Sequence, residues 1–106
     1  MAAEQMSRFT VTRNSQAVAA NERAVLLEDP GFGRLFTDHM VTIRYTEGQG
    51  WHSHKVEPRK PFEMDPACAV LHYAQEIFEG MKAYRLADGR IAMFRPEENA
   101  LSLIHI

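Results

Sequence analysis

Between residues 77 and 94 the chain reads strand, turn, strand (IFEGMKAYRLADGRIAMF), and no other stretch restricts the fold as tightly. Ala87-Asp88-Gly89 is a turn signal, with glycine where a positive φ is expected. Side chains of a strand alternate between faces. That rule sets Phe78, Gly80, Lys82 and Tyr84 on one face and Glu79, Met81, Ala83 and Arg85 on the other. The first face carries an aromatic ring, a residue without a side chain and a cation at successive positions. An apolar wall, close backbone access and a positive charge suit a small anionic ligand with an apolar part. The same residues also read as ordinary structure: Phe78 and Tyr84 as core, Lys82 as a snorkelling cation, Gly80 as a bulge.

Upstream, residues 39–46 (HMVTIRYT) alternate as a half-buried strand. Glu47-Gly48-Gln49-Gly50 turns the chain, and residues 51–57 return, which predicts a second hairpin. On strict alternation His52 and His54 share a face, Glu57 follows, and His39 stands across the hairpin. That spacing suits metal ligation, but the plainer reading is of exposed, solvated strand residues. Pro58 and Pro61 bound a basic connector that ends the ladder. Asp65 and Pro66 are a cap and a first helical residue for a short apolar helix over 67–72.

Residues 9–12 read as a short strand and 17–27 as a short alanine-rich helix, within a loosely held arm covering residues 1–28. Phe32 lies between Gly31 and Gly33 on a tight loop, either walling a pocket or anchoring the loop by a buried ring. Pro96, Glu97 and Glu98 open a helix with the preferred first residue and the charge that suits the dipole. The last residues, LSLIHI, bring neither cap nor stop signal, and the chain reads as incomplete.

Its 106 residues suffice for one small domain. With 45% apolar and 25% charged residues, the composition is that of a soluble globular protein. A net charge of -2 and the lack of a basic stripe argue against nucleic-acid binding. No apolar run approaches the roughly twenty residues of a membrane span, and no secretory h-region opens the chain. A cytoplasmic location is expected. Cys68, the single cysteine, falls in an apolar run and reads as buried and inert.

Three words then carry a resemblance: FGRLFTDHM (32–40), LHYAQEIFEGMKAYR (71–85) and DGRIAMFRPEENA (88–100). In this order and spacing the chain resembles the branched-chain amino-acid aminotransferases, pyridoxal-phosphate enzymes of the D-amino-acid-aminotransferase-like fold (fold type IV). The resemblance implies an α+β fold, here part of an N-terminal domain over residues 29–100 with a non-family tail at 101–106. It implies amino transfer from leucine, isoleucine or valine to 2-oxoglutarate, giving glutamate, by a homodimer or higher homo-oligomer. Phe32, Tyr73 and Phe78 match aromatics that wall the branched side chain. Gly80 and Lys82 match positions beside the bound substrate, Lys82 as a basic group for a carboxylate. The Schiff-base lysine and the acid facing the pyridine nitrogen belong to a C-terminal domain outside this chain. Leu101 and Ser102 stand where the family has basic residues, one of which grips the cofactor phosphate. Taken alone, the chain is expected to be inactive. Two other readings stand beside it: an interaction module that pairs with full-length subunits, and a small metal-binding β module using His39, His52 and His54.

Overall fold

The computed structural model describes residues 8–105. It is mixed α+β, and it divides into two compact units between Phe62 and Glu63.

The first unit is built on the expected hairpin. β2 (His39–Thr46) and β3 (Gly50–Pro58) pair antiparallel. The turn closes by a hydrogen bond from the Gln49 N–H to the Thr46 carbonyl, 3.0 Å. Gly48 and Gly50 both take positive φ there, 79° and 77°, which glycine adopts at little cost. Tyr45 and Trp51 face each other across the strands, edge to face at 5.2 Å.

A bulge interrupts this ladder. Thr42 opposes Lys55, yet Arg44 opposes His52, so Ser53 and His54 together face the single position of Ile43. Ser53 takes φ 54°, a left-handed value rare for a residue with a Cβ. The extra residue reverses the alternation, so His52 joins the face of Thr42, Arg44 and Thr46 while His54 falls on the other. His52 Nε2 lies 2.7 Å from Thr46 Oγ1, and the His54 ring packs edge-on against Phe9 at 5.4 Å. The shared histidine face expected from the spacing is therefore corrected.

β1 (Thr10–Val11) adds to the outer edge of β3 in parallel, giving the order β1-β3-β2. The following residues are tied down as well. The Thr12 N–H donates to the Val56 carbonyl at 2.9 Å. The Asn14 N–H donates to His39 Nε2 at 2.9 Å, and the Val18 N–H to Asp38 Oδ1 at 3.1 Å. From Thr10 to Val18 the chain is thus a strap on the sheet, not the loose arm expected; residues 1–7 lie outside the described part. α1 (Ala20–Leu26) follows, three residues shorter at its start than the pattern suggests, because the Val18 N–H is already held by Asp38.

In the second unit, Asp65 Oδ1 accepts the Ala67 N–H at 2.7 Å, and the Asp65 carbonyl accepts the Cys68 N–H. Asp65 thus forms a turn, and α2 (Ala69–Tyr73) begins only after Cys68, which is half-buried. Ala74 ends α2 in the left-handed region, φ 48°.

β4 (Ala83–Arg85) and β5 (Ile91–Met93) pair antiparallel. Gly89 at φ 85° and Asp88, which accepts the Arg90 N–H at 3.0 Å, shape the turn as expected. The ribbon is shorter than the alternation predicts, since residues 74–82 are neither helix nor strand. The turn registers β4 against β5, and β5 ends where Arg95 enters the left-handed region, φ 46°, ahead of α3 (Pro96–Ile104). The chain that the register would set opposite residues 77–82 is thus taken into α3, and a strand without a partner has no ladder. α3 runs on through residues 101–104.

No described residue is fully buried. Phe32, Tyr73, Phe78 and Phe94 are all at least 79% exposed.

Candidate functional site

Phe32 occupies a tight turn of the first unit, flanked by Gly31 at φ 63° and Gly33 at φ 67°. Its ring is 99% exposed, so it does not anchor the loop by burial. The other four candidate residues belong to the second unit. Tyr73 closes α2 and projects from its end, also exposed. Phe78, Gly80 and Lys82 lie on the irregular segment before β4, and all three are exposed.

The alternating face predicted for Phe78, Gly80, Lys82 and Tyr84 does not form, because only Tyr84 of the four is in a strand. A different arrangement replaces it. Residues 77–81 lie along α3, and between them is an open, mainly apolar groove of about 390 Å³. Ile77, Phe78 and Met81 line one side; Pro96, Ala100 and Leu103 line the other. Phe78 therefore has a place in a groove, whereas Tyr73 and Lys82 do not line it. A Cβ built on Gly80 would meet nothing within 4 Å, so the backbone there is open to an approaching group.

The polar rim of the groove depends on Asn99. Its Nδ2 donates to Glu79 Oε1 at 2.9 Å and to the Gly80 carbonyl at 2.8 Å. Glu79 has its carboxyl held below the usual range, by the Asn99 hydrogen bond first and by Ser102 next. No periodicity marks Asn99 in the sequence; the only hint is an asparagine, a poor helix former, inside a helix.

The histidine set does not converge. His39 Nε2 accepts the Asn14 N–H, and the bulge parts His52 from His54. Glu57 is engaged by Lys60 at 3.0 Å and by the Thr42 hydroxyl at 3.2 Å. Lys60 first, then Thr42 and Lys55, hold its carboxyl below the usual range. Among the described residues no three histidine, cysteine or acidic groups come together as a metal site. Nor is any helix there long and apolar enough to cross a membrane.

No family model matches the chain. Individual relatives do. A probable branched-chain-amino-acid aminotransferase of Streptomyces coelicolor is 59% identical over 86 residues, 81% of this chain and 24% of its own length. The branched-chain-amino-acid aminotransferase of Mycolicibacterium smegmatis is 54% identical over 95 residues, 90% of this chain and 26% of its own. The branched-chain-amino-acid transaminase 1 of Bacillus subtilis is 51% identical over 69 residues, 65% of this chain and 19% of its own. The chain thus spans about a quarter of the length of the curated relatives it matches. By sequence, over the stretch it shares with them, it belongs to the branched-chain-amino-acid aminotransferase family.

Proposed function

We propose that this chain is part of a branched-chain aminotransferase of fold type IV, which moves the amino group of leucine, isoleucine or valine to 2-oxoglutarate. The identity to proteins so named, over most of the chain, carries the proposal. Within it, Phe32, Tyr73 and Phe78 wall the branched side chain. Their rings are 84–99% exposed here, which leaves them free to pack against a ligand. Burying a leucine-sized group gains about 1.5–3 kcal/mol, enough for aromatic walls to select it. Gly80 leaves room beside the backbone, and Lys82 attracts the carboxylate of the same substrate.

Pyridoxal phosphate supplies the electron sink for such a reaction when bound. The described residues do not fit it. The cofactor needs a lysine in an enclosed site and a cradle for its phosphate, yet Lys60 is ion-paired with Glu57 and no described residue is fully buried. We assign the lysine and the phosphate grip to the remainder of the protein, together with homodimer formation and action in the cytoplasm.

Incubating the purified full-length protein with leucine, 2-oxoglutarate and pyridoxal phosphate tests the proposal. Glutamate and the branched 2-oxo acid should appear in equal amounts. No product from any of the three branched amino acids would overturn it. The 106-residue chain alone should give no turnover under the same conditions.

A further inference from the structure

Residues 77–81 pose a problem of support. They carry Phe78, yet among the described residues no ladder holds them, because the chain beyond Met93, which the register would set opposite them, turns into α3. They also lie between two fixed elements, α2 and β4. Something other than backbone pairing must set their path. The described structure offers polar contacts on this segment from α3, chiefly the two made by Asn99, with Ser102 also reaching Glu79.

We propose that Asn99 is a positioning residue that holds residues 77–81 against α3 and so fixes the Phe78 wall. This rests on the substrate wall proposed above. An asparagine amide has two hydrogens to donate, and Asn99 directs them to two consecutive residues. Glu79 Oε1 accepts one at 2.9 Å and the Gly80 carbonyl the other at 2.8 Å. One bond grips a side chain, the other the backbone, so the segment can neither slide along α3 nor rotate about its own axis without breaking one of them. Phe78 immediately precedes the gripped pair, and its ring lines the groove against Ala100, the neighbour of Asn99. The acceptor at Glu79 is ionised, which makes that bond the stronger of the two, and the lowered carboxyl titration agrees with it. An aspartate in place of Asn99 would present only acceptors to Glu79 and to a carbonyl. A glutamine would carry the amide past both.

The test uses full-length protein carrying Asn99→Ala, Asn99→Asp or the exchange Asn99→Asp with Glu79→Gln, in which the introduced amide donates to the introduced carboxylate. Two readouts separate this proposal from the aminotransferase reading. The first needs no activity: trypsin cleavage after Lys82, followed by mass spectrometry with cleavage after Arg59 as the internal reference. Cleavage of a segment tracks how often it opens locally. Asn99→Ala and Asn99→Asp should speed cleavage after Lys82 about fivefold relative to cleavage after Arg59, and the exchange should recover part of the difference, the size expected for solvent-exposed hydrogen bonds. The second readout is kinetic: KM for leucine should rise about fivefold with kcat within about twofold, the signature of lost binding and not of lost chemistry. Unchanged cleavage after Lys82 in both single variants would overturn the proposal. So would faster cleavage with an unchanged KM for leucine, since the segment would then be held without positioning the wall. A wild-type protein without transamination would instead remove the aminotransferase reading, and the cleavage ratio alone would decide whether Asn99 holds the segment.

Discussion

Truncating Phe78 to alanine separates a binding wall from a structural aromatic. Its ring is 89% exposed, so almost none of its surface is buried within the chain. The unfolding free energy of the chain should therefore stay within about 0.5 kcal/mol, as for other exposed positions. Substrate binding should respond differently. A phenylalanine side chain offers roughly 200 Å². A leucine side chain that covers about a quarter of it buries about 50 Å² of ring, worth about 1.2 kcal/mol at 25 cal/mol per Å². That corresponds to about an eightfold loss in kcat/KM for leucine. Glutamate, whose polar side chain gains less from an apolar wall, should lose less than about threefold. Steady-state kinetics of Phe78→Ala in the full-length protein, with leucine and glutamate as competing amino donors, measures the ratio directly. An unchanged leucine-to-glutamate preference would refute the assignment of Phe78 to the wall.

Gly89→Ala should destabilise the β4–β5 ribbon by about 1 kcal/mol in a urea melt, because an L-residue at positive φ costs about 1–2 kcal/mol while the stiffer unfolded chain returns part of it. An added Cβ there meets nothing within 4 Å, so no steric contribution should enter. Asp38→Ala should loosen the strap at Thr10–Val18 by about 1 kcal/mol, the value of one hydrogen bond, since Asp38 Oδ1 holds the Val18 N–H; amide exchange at Val18 reads it. Glu57, Glu79 and Asp88 all have carboxyls held below their usual range, by Lys60, Asn99 and Arg90 respectively. A lowered folded-state value stabilises above the ordinary carboxylate range and loses that stabilisation as pH falls through it. Thermal melts should therefore be flat from neutral pH down to about pH 5 and decline below it; a midpoint that rises on acidification would contradict these contacts.

The legible parts of this protein are those whose causes are local. Alternation, turn glycines and a proline followed by acids place β2, β3, the β4–β5 turn and the start of α3 within a residue or two, because a few neighbours decide each of them. The family words likewise identify the chain without any coordinates. What sequence could not supply depends on a distant partner. The parallel pairing of β1 with β3 joins residues about 45 apart, Thr10 with Lys55, and no local signal encodes it. The bulge at Ser53 turns on the register of two strands, and it alone separates His52 from His54. Strand-like alternation over residues 77–82 is genuine in the sequence, but a strand exists only where another backbone completes its hydrogen bonds. β5 stops at Met93, so no strand continues opposite these residues in register, and they lie against α3, where Asn99 holds them. Periodicity thus determined which faces could exist, and tertiary pairing decided which of them formed.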